Sequence, residues 1–143
     1  MTSAFQSDPT PTPDLPAAVH LNGMLIDMRG RVKGEWVGGE IPELIAQTDT
    51  LYTGDVVEGG GIQQTITFIL TLKELDLAVT KATLYNEDYI EVYLADGVLI
   101  RYASRREPVQ AAYTIQEMYS IFSIEGNVPH IIDVRFQKPA IIN

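Results

Sequence analysis

Two histidines, His20 and His130, are the only imidazoles in the chain, and there is no cysteine. A zinc site needs three or four nitrogen, sulfur or carboxylate ligands brought close together. Neither histidine has the H-x-H or HExxH company that supplies them, so no metal site is expected, and each histidine is read as half exposed at a strand edge. The lack of cysteine also removes a thiol nucleophile and a disulfide framework. The serines are Ser3, Ser7, Ser104, Ser120 and Ser123. None lies in G-x-S-x-G or S-x-x-K, the settings that activate a serine nucleophile. Asp27 and Asp96 are explained as turn residues, which leaves no carboxylate pair for acid–base work. Gly59-Gly60-Gly61 precedes a candidate helix, where backbone amides can hold phosphate. No lysine follows, and Glu58 would repel the ligand. With no catalytic constellation, no enzyme, cofactor or small-molecule substrate is expected.

Two charged groupings remain. Arg105-Arg106 forms a basic spot read as a solvated turn. Asp133 and Arg135, two apart in IIDVRF, share one face of a strand, while Ile132, Val134 and Phe136 share the other. That pattern fits a half-buried strand with a surface ion pair. It equally fits an exposed edge, whose unpaired amides and carbonyls can template a partner strand. The formal charge of −9 opposes nucleic acid and anionic membrane surfaces.

The elements that would position these residues follow from periodicity. Residues 1–16 hold four prolines in SDPTPTPDLP and read as a linker. The folded domain is assigned to 17–143, a length suited to one core. No stretch approaches the ~20 apolar residues of a membrane span. The start has neither the basic region nor the apolar core of a signal peptide, so any targeting segment is expected upstream. Leu21–Ile26 reads as one strand and Arg31–Val37, with Trp36, as its return. Pro42 is expected to keep IPELIA out of the sheet interior. Residues 61–75 fit both a strand alternation and a helical stripe of Ile62, Ile66, Ile69 and Leu72. Their length without a breaker favours helix over local β propensity. Ala78–Leu84, Tyr89–Leu94 and Val98–Ala103 read as strands, the last two joined at Asp96-Gly97. Pro108 opens a second helix with Ala112, Ile115, Tyr119 and Phe122 inward. His130–Phe136 and Ala140–Ile142 close the chain as strands. The expected fold is a two-layer α+β domain, an antiparallel or mixed sheet with two helices on one face.

Several segments in this order are familiar. GMLIDMRGRV resembles the strand and D-x-x-G turn of the FtsQ/DivIB cell-division proteins, and GEIPELI resembles their short P-x-l segment. LADGVLIRYA is similar to their d-G hairpin, and HIIDVRF to their closing D-x-R strand. The resemblance covers residues 17–143 and points to the C-terminal extracytoplasmic β-domain of that family. It implies a non-enzymatic scaffold on the extracytoplasmic face of the bacterial cell membrane, at the division septum. There it would bind FtsB/DivIC- and FtsL-like partners, in part by strand addition. Membrane attachment would come only through an upstream transmembrane segment. By position in the motif, the implied partner-binding residues are Asp133, Arg135, Phe136, Gln137, Lys138, Pro139, Ala140 and Ile141, with Phe136 as the binding aromatic. The family carries small residues where this chain has Lys138 and Pro139. The alternative is a free-standing extracytoplasmic module that binds a solute or lipid in a cavity between helices and sheet.

Overall fold

The computed structural model describes residues 14–127 and 129–142. Most of the expected linker, residues 1–13, lies outside them, and 14–16 have no regular structure. The elements are β1 (Ala17–Leu21), β2 (Met24–Asp27), β3 (Val32–Glu35), β4 (Glu43–Ile45), α1 (Ile62–Glu74), β5 (Val79–Asn86), β6 (Tyr89–Leu94), β7 (Leu99–Tyr102), α2 (Pro108–Glu125), β8 (Ile131–Asp133) and β9 (Ala140–Ile142). The class is α+β, with one nine-stranded mixed sheet in the order β3-β2-β1-β4-β5-β6-β7-β8-β9. No described helix is long and apolar enough to cross a membrane.

The sheet is larger than the sequence reading, and the additions come from its first half. Leu21–Ile26 is two strands, not one. Asn22 and Gly23 both take positive φ (50° and 79°), the pairing that a tight two-residue hairpin needs. β1 and β2 fold back on each other there, with Leu21 opposite Met24. Pro42 does not keep its segment out of the sheet. β4 starts one residue later and runs parallel to both β1 and β5. The proline sits where no ladder amide is required, and its carbonyl accepts from His20 N–H at 3.0 Å. His20 is therefore not at an edge. It lies on an interior strand at 8% exposure, with Trp36 stacked on it at 3.9 Å just beyond β3.

Residues 62–74 are helical despite three threonines. All three solve the conflict locally: Thr65, Thr67 and Thr71 hydroxyls donate to the carbonyls of Gly61, Gln63 and Thr67, bonds that a β-branched residue can make inside a helix. Gly61 opens α1 in the left-handed region, and a Cβ there would lie 2.7 Å from Ser104 Cβ. At the other helix Glu107, not predicted as a cap, accepts from the amides of Val109 and Gln110.

Alternate positions across the strands are buried in register. Leu21, Leu44, Ala82, Val92, Ile100 and Ile132 form one such row. α1 packs on α2 and touches β1 and β5. Its Phe68 stacks on Tyr102 at 4.2 Å, both without solvent exposure. Tyr102 keeps its hydroxyl satisfied by donating to the Arg106 carbonyl at 3.0 Å, and burial first of all pushes this phenol far above the usual range. The inward stripe of α2 is shorter than expected. Ala111, Ala112 and Ile115 are buried and Tyr119 partly so, whereas Phe122 stays half exposed and outside the core.

Candidate partner-binding edge

The last described strand, β9, pairs antiparallel with β8, Ile132 opposite Ile141 and Asp133 opposite Ala140. The other side of β9 has no strand neighbour among the described residues, and Ala140, Ile141 and Ile142 are all exposed. The opposite edge of the sheet is different. At the start of β3 the amide of Val32 donates to the Asp55 carbonyl (2.8 Å) and the amide of Gly54 to the Val32 carbonyl (2.9 Å), so a passing segment covers that edge at Val32.

β8 is shorter than predicted. It ends at Asp133, although the Val134 amide still reaches the Arg101 carbonyl at 2.9 Å. Ile132 and Val134 point into the core as expected. Phe136 does not share their face: the chain bends after Val134 and leaves its ring 57% exposed. Gln137, Lys138 and Pro139 form the exposed link to β9.

Asp133 is more than one half of a surface ion pair, because it is only 7% exposed. Its Oδ1 accepts from both the amide and Nε of Arg135 at 3.0 Å, and Oδ2 accepts from Nη2 at 2.8 Å. Arg101 stands on the other side, 3.9 Å away. Burial opposes ionisation here, but the Arg135 hydrogen bonds and the two guanidinium charges outweigh it. The carboxyl is held below its ordinary range.

Arg135 thereby becomes a fixed plate. Its guanidinium lies 5.1 Å from the ring centres of both Tyr89 and Phe136, within cation–π range. The SRREP spot is a turn with Arg105 exposed, as expected, but its charge is engaged. Arg105 donates to the Asp88 carboxylate at 2.6 Å and to the Arg135 carbonyl at 3.0 Å, and lies 5.5 Å from the Phe136 ring. Phe136 is thus bracketed by two arginines, each tied to an acid.

Beside this group the outer residues of β6 form a cluster to which the sequence analysis gave no role. The Glu91 carboxylate accepts from three phenols: Tyr85 at 3.0 Å, Tyr93 at 3.1 Å, and Tyr89. Burial raises the Glu91 carboxyl, but the phenol hydrogen bonds outweigh it and the net shift is downward. The signal was legible as Y-x-E-x-Y on an alternating strand. Tyr85 joins it only through pairing of β5 with β6.

No group of three or more metal-ligating residues exists among the described residues. His20 on β1 and His130 beside β8 are separated by five strand spacings, about 24 Å, and cannot share an ion. Among known proteins, no family model matches the sequence, and no curated protein matches it significantly.

Proposed function

We propose that this chain is a non-enzymatic protein-binding domain that takes up a partner strand along β9, in the manner of the FtsQ/DivIB β-domain it resembles. The observation that carries the reading is an edge strand whose outer side is open among the described residues, beside an exposed, arginine-bracketed Phe136. An edge strand offers main-chain hydrogen bonds for affinity. An exposed aromatic beside it offers a side-chain anchor for specificity. In this reading the partners are FtsB/DivIC- and FtsL-like division proteins, and the setting is the extracytoplasmic face of the membrane at the septum. Gln137, Lys138 and Pro139 frame the entry to the edge, while Asp133 and Arg135 fix the ring from behind.

The two helices are proposed to share one face of the sheet, which gives a two-layer domain. Supporting this are the contacts of α1 with α2, β1 and β5 and the outward, partly exposed Tyr89, Glu91 and Tyr93 on the alternate positions of β6. The scaffold reading is preferred to solute binding because Phe68 and Tyr102, stacked and fully buried, occupy the interior where a ligand would sit.

The test is a pair of measurements on Phe136→Ala, thermal stability and affinity for an FtsB/DivIC-like segment. Affinity is expected to fall by about tenfold or more, the scale of an aromatic hot spot, with the melting temperature nearly unchanged. Lost stability with intact affinity would make the ring structural and remove it from the site.

A further inference from the structure

We infer that the outer face of α2 is a second docking surface, for a cationic amphipathic helix of a partner protein. The inference stands apart from the β9 edge and does not depend on it.

A surface helix normally buries one apolar stripe and presents a polar face to water. α2 carries two apolar stripes. One contains Ala111, Ala112 and Ile115 and is buried. The other lies on the opposite side of the helix and contains Val109, Tyr113, Ile121 and Ile124, at 40%, 52%, 56% and 87% exposure. Their spacings of 4, 8 and 3 residues keep them within a ~120° sector at 100° per residue, which Gln110, Glu117 and Ser120 share. Scattered single apolar residues on a surface are ordinary, whereas here four large ones, each at least 40% exposed, share one face of one helix in two groups, Val109 with Tyr113 and Ile121 with Ile124. At 1.5 Å per residue the stripe runs about 22 Å, four turns of helix, which suits another helix lying along it.

The charge around the stripe selects the partner. α2 contains Glu117 and Glu125 and no lysine or arginine. Glu117 falls within the exposed sector, and Glu125 flanks it at the helix end. The last turn carries no basic side chain, so the negative end of the helix dipole is uncompensated from within the helix. All of this sits on a chain of net charge −9. A partner helix with an apolar stripe flanked by lysines or arginines matches both features. A second copy of this chain would set carboxylates against carboxylates, and an anionic membrane would be repelled.

The probe is a fluorescein-labelled 18-residue peptide with leucine on one helical face and lysine on the other, titrated into the full chain by anisotropy. Three variants are compared with the unaltered chain: Ile121→Ser with Ile124→Ser, Glu117→Gln with Glu125→Gln, and a control, Val37→Ser with Tyr52→Ser. The control changes two exposed apolar residues outside α2. The first variant is expected to weaken binding about tenfold and the second by several fold, with the control and Phe136→Ala unchanged. Thermal melts establish that each variant is folded. No binding, equal loss in the control, or indifference to the Ile121/Ile124 change would overturn the proposal. So would binding of anionic vesicles that depends on Ile121 and Ile124, which would make the stripe a membrane contact. Dependence on Phe136 would instead assign the peptide to the β9 edge.

Discussion

Ile115 and Phe122 sit two turns apart on the same side of α2, and the sequence gives them equal weight. Only Ile115 is fully buried; by Phe122 the helix has run beyond the core. Ile115→Ala is expected to cost about 2–5 kcal/mol, the range for a core truncation that leaves a cavity. Phe122→Ala should cost well under the ~3–5 kcal/mol of a buried phenylalanine. Urea midpoints of the two variants decide it, and equal losses would return Phe122 to the core. Asp133 makes a different kind of prediction. Its carboxyl titrates lower in the folded chain than in the unfolded one, so its contribution to stability is complete above about pH 4. The contribution is lost as pH falls through the depressed folded value. Asp133→Asn should therefore be less stable than the unaltered chain at pH 7, with the gap narrowing below about pH 4. A gap of constant size from pH 7 to pH 2 would mean that the ion pair contributes nothing.

At the scale of elements, the turn between β2 and β3 is where backbone geometry is most constrained. Asp27 Oδ1 accepts from the amides of Arg29 and Arg31, Gln63 Nε2 donates to the Arg29 carbonyl at 2.8 Å, and the Val57 amide donates to the Gly30 carbonyl. Gly30 has φ 86°, and a Cβ there would lie 2.5 Å from the Val57 carbonyl oxygen. Gly23 has a similar φ of 79° but nothing within 4 Å. Both alanine variants carry the left-handed penalty of about 1–2 kcal/mol, and only Gly30→Ala adds the clash. Gly30→Ala should thus be the less stable of the two by chemical denaturation, and equal losses would show that the 54–57 segment gives way freely. The same elements explain what was legible. The D-x-x-G turn, the alternation of β6 and the Asp-Gly hairpin after it are short-range patterns, and each appears where its residues put it. The threonine-rich α1 could be read either way. Its outcome turned on the threonine hydroxyls finding carbonyls one turn back. β4 was hidden because three residues after a proline make a strand only if β1 and β5 arrive on both sides, and periodicity carries no information about arrivals. The place of Phe136 was missed for a similar reason: the strand pattern runs on through Arg135, but Asp133 caps the bend by accepting the Arg135 amide.

For the molecule as a whole, an open edge and a large net charge pull against each other. β9 presents unpaired main-chain groups with Ile141 and Ile142 beside them, both partly exposed, and such an edge is a template for any extended chain, a second copy included. What opposes self-pairing is charge: two copies at −9 each repel, and the repulsion acts over a Debye length of about 8 Å at physiological salt. Two manipulations should remove that protection. Lowering the pH toward the sequence pI near 4.5 discharges the carboxylates, and raising salt toward 1 M shortens the screening length to about 3 Å. In both cases sedimentation is expected to reveal association that is absent at pH 7 and low salt. Ile141→Lys puts a charge on the edge itself, a common natural guard against such pairing, and should abolish the association under all conditions while leaving the fold intact. The same substitution should block a partner strand, so self-association and partner binding are expected to fall together. Association that survives in Ile141→Lys would place the contact elsewhere, and the exposed stripe of α2 is then the surface to test next through Ile121 and Ile124.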